Sequence, residues 1–168
     1  KIIGMYNGRT EFGARALGNR SILARPDLSN TVKKINEAVK NRDFWMPFAI
    51  SILKKHHKKF ISNKKSLESP HMTLGFDTIK KNLKYIVSGT HPYDGTVRPQ
   101  ILEKNFNINY YKLIEKFYKK TKIPALLNTS LNLHGKPMVN NIKQALYTLS
   151  NSKLDCLIIN YKYIVKKK

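Results

Sequence analysis

Apolar side chains recur along this chain at two spacings, and the switches between them lay out its elements. Lys1 to Tyr6 is short and β-leaning and reads as a strand that delivers the chain to Gly8. Ala24-Arg25-Pro26-Asp27 is a turn signal, after which Val32, Ile35, Ala38 and Val39 fall three and four apart. That spacing predicts a helix over 30–40, capped by Ser29, Asn30 or Thr31, with Lys33, Lys34, Glu37 and Lys40 on its polar side. Phe48 to Leu53 predicts a strand packed by the aromatics Phe44 and Trp45. From Lys54 to Ser69 lysines, two adjacent histidines and small polar residues outnumber apolar ones, which predicts an exposed loop able to close over a site.

Met72 to Phe76 and Lys84 to Val87 read as strands, and Asp94-Gly95 as a turn ahead of another short one. Asn109 is placed to cap a helix bearing Leu113, Ile114 and Phe117. Pro124 opens a strand over 125–127 that runs into Asn128-Thr129-Ser130-Leu131-Asn132-Leu133-His134-Gly135. A helix with Ile142, Ala145, Leu146 and Leu149 follows, and Leu154 to Asn160 with Tyr163 to Val165 closes the chain as strands. Helices alternating with strands predict an α/β domain with a twisted mixed sheet and packed helices.

At 168 residues the chain is long enough to bury a core as one domain. Its Lys1 start reads as a cut in a longer protein, no run is long enough to span a membrane, and a cytoplasmic location is expected. Cys156, the sole cysteine, reads as a small core side chain. The formal charge of +22 comes from 32 Lys plus Arg against 10 Asp plus Glu, which brings phosphate-bearing substrates and nucleic acid into consideration. Because lysine and asparagine enrichment can be a compositional bias, the scarcer arginines carry more information.

Three arginines, three glycines and one carboxylate are interleaved in Gly8-Arg9-Thr10-Glu11-Phe12-Gly13-Ala14-Arg15-Ala16-Leu17-Gly18-Asn19-Arg20-Ser21-Ile22-Leu23. Glycine permits close backbone approach and arginine offers a donor fork matched to phosphate or carboxylate, so the stretch has the make-up of an anion site. It lacks the endings of a P-loop and the spacing of a dinucleotide fold. Lys40 and Arg42 place two further cations at a helix-to-loop junction, and Arg98 comes off the Asp94-Gly95 turn. Asn128, Thr129, Ser130 and Asn132 put amides and hydroxyls at the end of a strand, where open α/β sheets bind ligands. A capped turn satisfying its own backbone is the plain alternative for this cluster. Ser130, His91 or His134 and Asp94 could serve a hydrolase, but no Gly-x-Ser-x-Gly elbow accompanies them. Glu11 and Asp94 are too isolated for a glycosidase pair, and His56-His57 lack the spaced partners of a zinc site.

Four blocks together carry a resemblance: the stretch from Gly8 to Leu23; Lys40-Asn41-Arg42-Asp43-Phe44-Trp45-Met46-Pro47-Phe48-Ala49; Asp94-Gly95-Thr96-Val97-Arg98-Pro99-Gln100; and Asn128 through Pro137. The chain resembles the C-terminal domain of the O-carbamoyltransferases that modify antibiotics and nodulation factors, a domain similar to YrdC, also called Sua5. The resemblance implies a YrdC-like domain over 25–168 that forms carbamoyl adenylate from carbamoyl phosphate and ATP with Mg2+. Residues 1–24 would form the interdomain junction and the start of this domain. A preceding Kae1-like domain, not in this chain, would hold Fe or another divalent metal and pass the carbamoyl group to a small-molecule acceptor. It further implies that Lys40, Arg42, Ser130 and Asn132 contact the nucleotide or the carbamoyl donor; Arg98 is expected to join Lys40 and Arg42 as a catalytic cation, Asn128 and Thr129 to join Ser130 and Asn132 as cofactor-binding groups, and no metal ligands are expected within this chain. Arg9, Glu11, Arg15 and Arg20 would line a substrate or interdomain channel. The family has proline at the positions of Ala14 and Ile50 and arginine at that of His134. A basic RNA-binding module and a non-catalytic structural domain are the alternatives, with salt-dependent RNA binding the discriminating observation for the first.

Overall fold

The computed structural model describes residues 1–13, 15–41, 43 and 45–167. Seven strands make up its sheet: β1 (Ile2–Tyr6), β2 (Arg20–Ala24), β3 (Ala49–Leu53), β4 (Gln100–Leu102), β5 (Ala125–Ser130), β6 (Cys156–Ile159) and β7 (Tyr163–Val165). They lie side by side in the order β4-β3-β5-β2-β1-β6-β7. β5 runs antiparallel to both β3 and β2, whereas β3–β4 and β1–β6 are parallel, so the sheet is mixed as expected. β1 and β2 pair antiparallel across Ile2↔Ala24 to Tyr6↔Arg20. Residues 1–24 therefore supply two inner strands.

Alternation along the inner strands sends successive side chains to two separate cores. On one face Ile22, Ala24 and Leu127 meet α1 (Thr31–Ile35), its continuation over Asn36–Lys40, and α3 (Ile142–Ser150), through Ile35, Ala38, Val39, Ala145 and Leu149. On the other, Met5, Leu23, Leu53 and Leu126 meet α2 (Ile108–Thr121) through Tyr110 and Ile114. A third cluster joins Ile50, Ile52 and Ala125 to Phe60, Ile61, Phe76, Ile86 and Val97 of the irregular connection between β3 and β4. Cys156 is buried on β6, as its apolar neighbours predict.

Five local expectations change. Arg20–Ala24, read only as the end of a motif, is a wholly buried strand. Lys54–Lys59 folds as a 3₁₀ turn inside the segment read as a loop; its lysines are exposed, but His57 within it and Phe60, Ile61 and Asn63 after it are buried. Lys84 to Val87 is 3₁₀ as well, with the Ile86 amide bonded to the Leu83 carbonyl; of 72–76 only Phe76 pairs in a ladder, with Val97. A strand needs a neighbour, and neither segment reaches one along its length. The α2 cap is Asn107, whose side chain accepts from the Tyr110 amide, two residues before the expected position.

Candidate functional site

The predicted helix over 30–40 does not stay α-helical to its end. Over Asn36–Lys40 it widens into a π-helix, with the Asn41 amide bonded to the Asn36 carbonyl at 2.8 Å and Asn41 left-handed at φ 42°. Widened turns of this kind often sit at functional sites because they rotate one side chain out of the regular stripe. Here that side chain is Lys40, drawn into the interior at 2% exposure.

The β5 end receives it. Lys40 Nζ donates to Ser130 Oγ at 3.1 Å and to Asn132 Oδ1 at 2.6 Å, and Ser130 Oγ donates to Asn132 Oδ1 at 2.6 Å. The Asn132 amide is oriented from its other side, where Nδ2 donates to the Leu133 and Lys136 carbonyls at 2.9 and 2.7 Å. Those two carbonyls accept only, so the Nδ2 end is fixed toward them and Oδ1 toward Lys40. Gly135, at φ +70°, lets the 133–136 turn close.

Two adjoining cavities open around this triangle. One, of 490 Å³, is lined by Arg15, Lys40, Arg98, Asn132 and His134. The other, of 60 Å³, shares Arg15, Pro47 and Arg98 and adds Asn128, Thr129 and Ser130. Among the described residues no carboxylate lines either. Cations, hydroxyls and amides converging without an acid make a space suited to an oxyanion. A larger cavity of 990 Å³ shares Met46 and Pro47 with the first, but there Glu37, Asp77 and Asp94 stand beside Lys33, Lys80 and His91, so its lining is of mixed charge.

The structure thus brings together Lys40, Arg98, Ser130, Asn132, Asn128, Thr129 and Arg15. Arg42 lies outside the described residues. Asn128 and Thr129 belong to β5 itself, and Asn128 is 1% exposed, with Nδ2 donating to the Ala16 carbonyl and to Ser51 Oγ. Arg9 is exposed and lines neither cavity. Arg20, expected in a channel, is instead buried at 2% exposure. Its guanidinium stacks 3.7 Å from the Tyr6 ring centroid and donates to the Asn7 and Gly8 carbonyls at 2.7 and 2.9 Å. Arginine's fork can hold two strand ends as readily as a phosphate, and here it does the former. No residue of 54–69 lines either cavity, so the lysine-rich segment does not close over this one.

His134, read from the sequence as a possible hydrolase histidine and as a departure from the family, makes a contact that the sequence does not show. Its Nδ1 lies 2.6 Å from the Lys40 carbonyl, which can only accept, so Nδ1 carries the proton and Nε2 is the nitrogen left for the cavity. Met46 and Pro47 form a wall whose signal was their place inside the Lys40 to Ala49 block.

Among the described residues no helix is long and apolar enough to cross a membrane, and no three His, Cys, Asp or Glu side chains cluster to hold a metal. Comparison with known proteins gives a consistent picture. A protein of Methanocaldococcus jannaschii is 40% identical over 99% of this chain. Nodulation protein NolNO of Sinorhizobium fredii is 38% identical over 99% of it, and the 3'-hydroxymethylcephem-O-carbamoyltransferase of Amycolatopsis lactamdurans 30% over 94%. The chain spans 27%, 24% and 29% of those three proteins respectively. The sequence pattern of the family described as carbamoyltransferase C-terminus matches residues 1–167, and the chain belongs to that family.

Proposed function

We propose that this domain forms carbamoyl adenylate from carbamoyl phosphate and ATP, for transfer to an acceptor hydroxyl by a Kae1-like domain of a longer polypeptide. The observation that carries the reading is the pocket, free of carboxylates among the described residues, in which Lys40, Ser130 and Asn132 close into one hydrogen-bonded triangle beside Arg15 and Arg98. The cephem carbamoyltransferase supports the chemistry, since its name records carbamoyl transfer to an oxygen.

The atoms balance with one water. Water releases phosphate from carbamoyl phosphate to leave carbamate; a carbamate oxygen then bonds to the α-phosphorus of ATP, and the bond to pyrophosphate breaks. Displacement at phosphorus needs alignment and charge neutralisation more than a protein nucleophile. Lys40 is the cationic corner of the triangle, where it binds a phosphate or carboxylate oxygen, and Arg15 and Arg98 line both cavities. Arg42 joins Lys40 on the resemblance alone. Ser130 and Asn132 hold Lys40 in place and offer directional contacts to ribose, phosphate or carbamoyl groups. Mg2+ would ride on the nucleotide's phosphates and neutralise charge there, which fits a pocket made of cations and neutral donors.

Pyrophosphate release by the intact enzyme, with ATP and magnesium, tests the reading. Release that depends on carbamoyl phosphate is expected. Release that ignores it, or no release at all, overturns it.

A further inference from the structure

Glu11 lines neither cavity, yet the loop that brings Arg15 to both of them closes on its carboxylate. Oε1 accepts from the backbone N–H of Leu17 at 2.7 Å, of Asn19 at 2.8 Å and of Arg20 at 3.3 Å. Three amides converging on one charged oxygen fix the path of the loop, since hydrogen bonds to an ionised acceptor are the strong ones. Two carbonyls of the same loop then hold side chains of the sheet. Ala16 accepts from Asn128 Nδ2 at 3.1 Å, and Leu17 from Gln100 Nε2 at 3.3 Å. Ser51 links the two, accepting from Asn128 Nδ2 at 2.9 Å and donating to Gln100 Oε1 at 2.7 Å. The network runs unbroken from Glu11 to Asn128 at the wall of the smaller cavity.

A second observation lies behind this network. Among the described residues, Glu11 Oε2, Asn128 Oδ1 and the hydroxyls of Tyr110 and Tyr161 are all buried with no partner at full hydrogen-bond geometry. They share a neighbourhood. The Tyr110 ring, fully buried, packs on Gly18, and its hydroxyl has the side chains of Ser51 and Asn128 as neighbours just short of full hydrogen-bond geometry, with the charges of Tyr161 and Glu11 acting on it as well. Burial raises both phenols, Tyr161 to about 12, so each is a protonated donor at neutral pH. Two acceptors and two hydroxyls, each costly to bury unsatisfied, are the polar partners a buried water needs.

We propose that Glu11 is the positioning residue of the pocket, setting Arg15 and Asn128 through the loop between Glu11 and Arg20. A buried water joins its Oε2 to Asn128 Oδ1 and the two tyrosine hydroxyls. The effect on ligand binding rests on the nucleotide reading above; the water and the loop geometry do not.

A crystal structure at a resolution that shows waters tests the second half. One ordered water within hydrogen-bond distance of Glu11 Oε2 and Asn128 Oδ1 is expected; a dry gap, or a tyrosine hydroxyl bonded straight to Oε2 without a water, overturns it. For the first half, Glu11→Ala and Glu11→Gln are compared in the full-length enzyme by titrating ATP with magnesium well below the melting temperature. We expect the Kd to rise about tenfold or more in Glu11→Ala and to stay within about threefold in Glu11→Gln, whose amide oxygen still accepts from the three N–H groups. A lowered Tm in Glu11→Ala with an unchanged Kd overturns the positioning role. Should Glu11→Ala not fold, Glu11→Asp, too short to reach the three amides, replaces it with the same expected and overturning results. If the wild-type enzyme binds no ATP, the nucleotide reading fails alone. The variant's crystal structure then decides: Arg15 and Asn128 displaced together upholds the positioning role, and Asn128 still bonded to Ala16 overturns it.

Discussion

His134 Nδ1 and the Lys40 carbonyl lie 2.6 Å apart, although 94 residues separate them in sequence. The contact ties the turn after β5 to the widened end of the first helix, the two elements that supply the pocket's triangle. Removing it with His134→Phe should cost about 1 kcal/mol, the usual net worth of a hydrogen bond, and lower Tm by about 2–4 °C for a chain of this size. Thermal denaturation followed by circular dichroism checks this. No change in Tm would mean the imidazole contributes nothing to holding Lys40.

The Lys40 amino group carries the prediction closest to chemistry. Lys40→Met keeps the length and apolar stem of the side chain but ends both donations to Ser130 and Asn132. Binding of ATP with magnesium should weaken by about tenfold or more, roughly the loss of one charge-assisted contact, while the fold survives. Isothermal titration against the wild type reads the difference. Lys40→Arg should not restore binding, because a planar guanidinium cannot occupy the compact corner between Ser130 and Asn132.

Much of this pocket was legible in the chain, and the reason differs from residue to residue. Ser130 and Asn132 follow an apolar run, and polar groups at a strand's end announce a site in an α/β sheet. Lys40 was legible as a cation at a helix-to-loop junction but fell on the helix's polar side; only the π-turn, which periodicity does not encode, turns it inward. The motif from Gly8 to Leu23 misled in a different way. Its arginines suggested anion contacts, but Arg20 is consumed by carbonyls of its own neighbourhood, and the strand beginning there is hidden because Arg20-Ser21 does not look apolar. The 3₁₀ turns over 54–59 and 80–85 depend on long-range packing of Phe60 and Ile86, which local composition cannot report.

Two glycines of that motif should respond to alanine with losses of different size. At Gly18, φ is +113° and an added Cβ would lie 2.5 Å from Tyr110 Cδ1, inside a fully buried ring. Gly18→Ala should therefore destabilise by about 3 kcal/mol or more, combining backbone strain with overpacking. Gly8 has φ +50° but no atom within 4 Å of such a Cβ, so Gly8→Ala should cost only about 1 kcal/mol of left-handed strain. Urea denaturation of the two variants separates the cases, and equal losses would rule out Tyr110 as the cause.

The buried phenol of Tyr161 sets an alkaline limit on stability. Burial, and then the nearby Glu11 charge, push its hydroxyl up to about 12 from an ordinary value of 10.0. A raised folded-state value means the native state keeps the proton after the unfolded chain has begun to lose it. The unfolded state therefore binds fewer protons as pH rises through this window, and stability falls. Below about pH 10 the contribution is present in full, and it declines between there and about pH 12. Tyr110 is raised by burial as well and adds a decline in the same direction. Denaturant unfolding measured from neutral to strongly alkaline pH should show a steeper loss for the wild type than for Tyr161→Phe, which has no phenol to ionise at that site. Tyrosinate absorbance in the folded protein should lag that of the denatured chain over the same range. Parallel stability curves for the two proteins would show that Tyr161 is not held protonated by the fold.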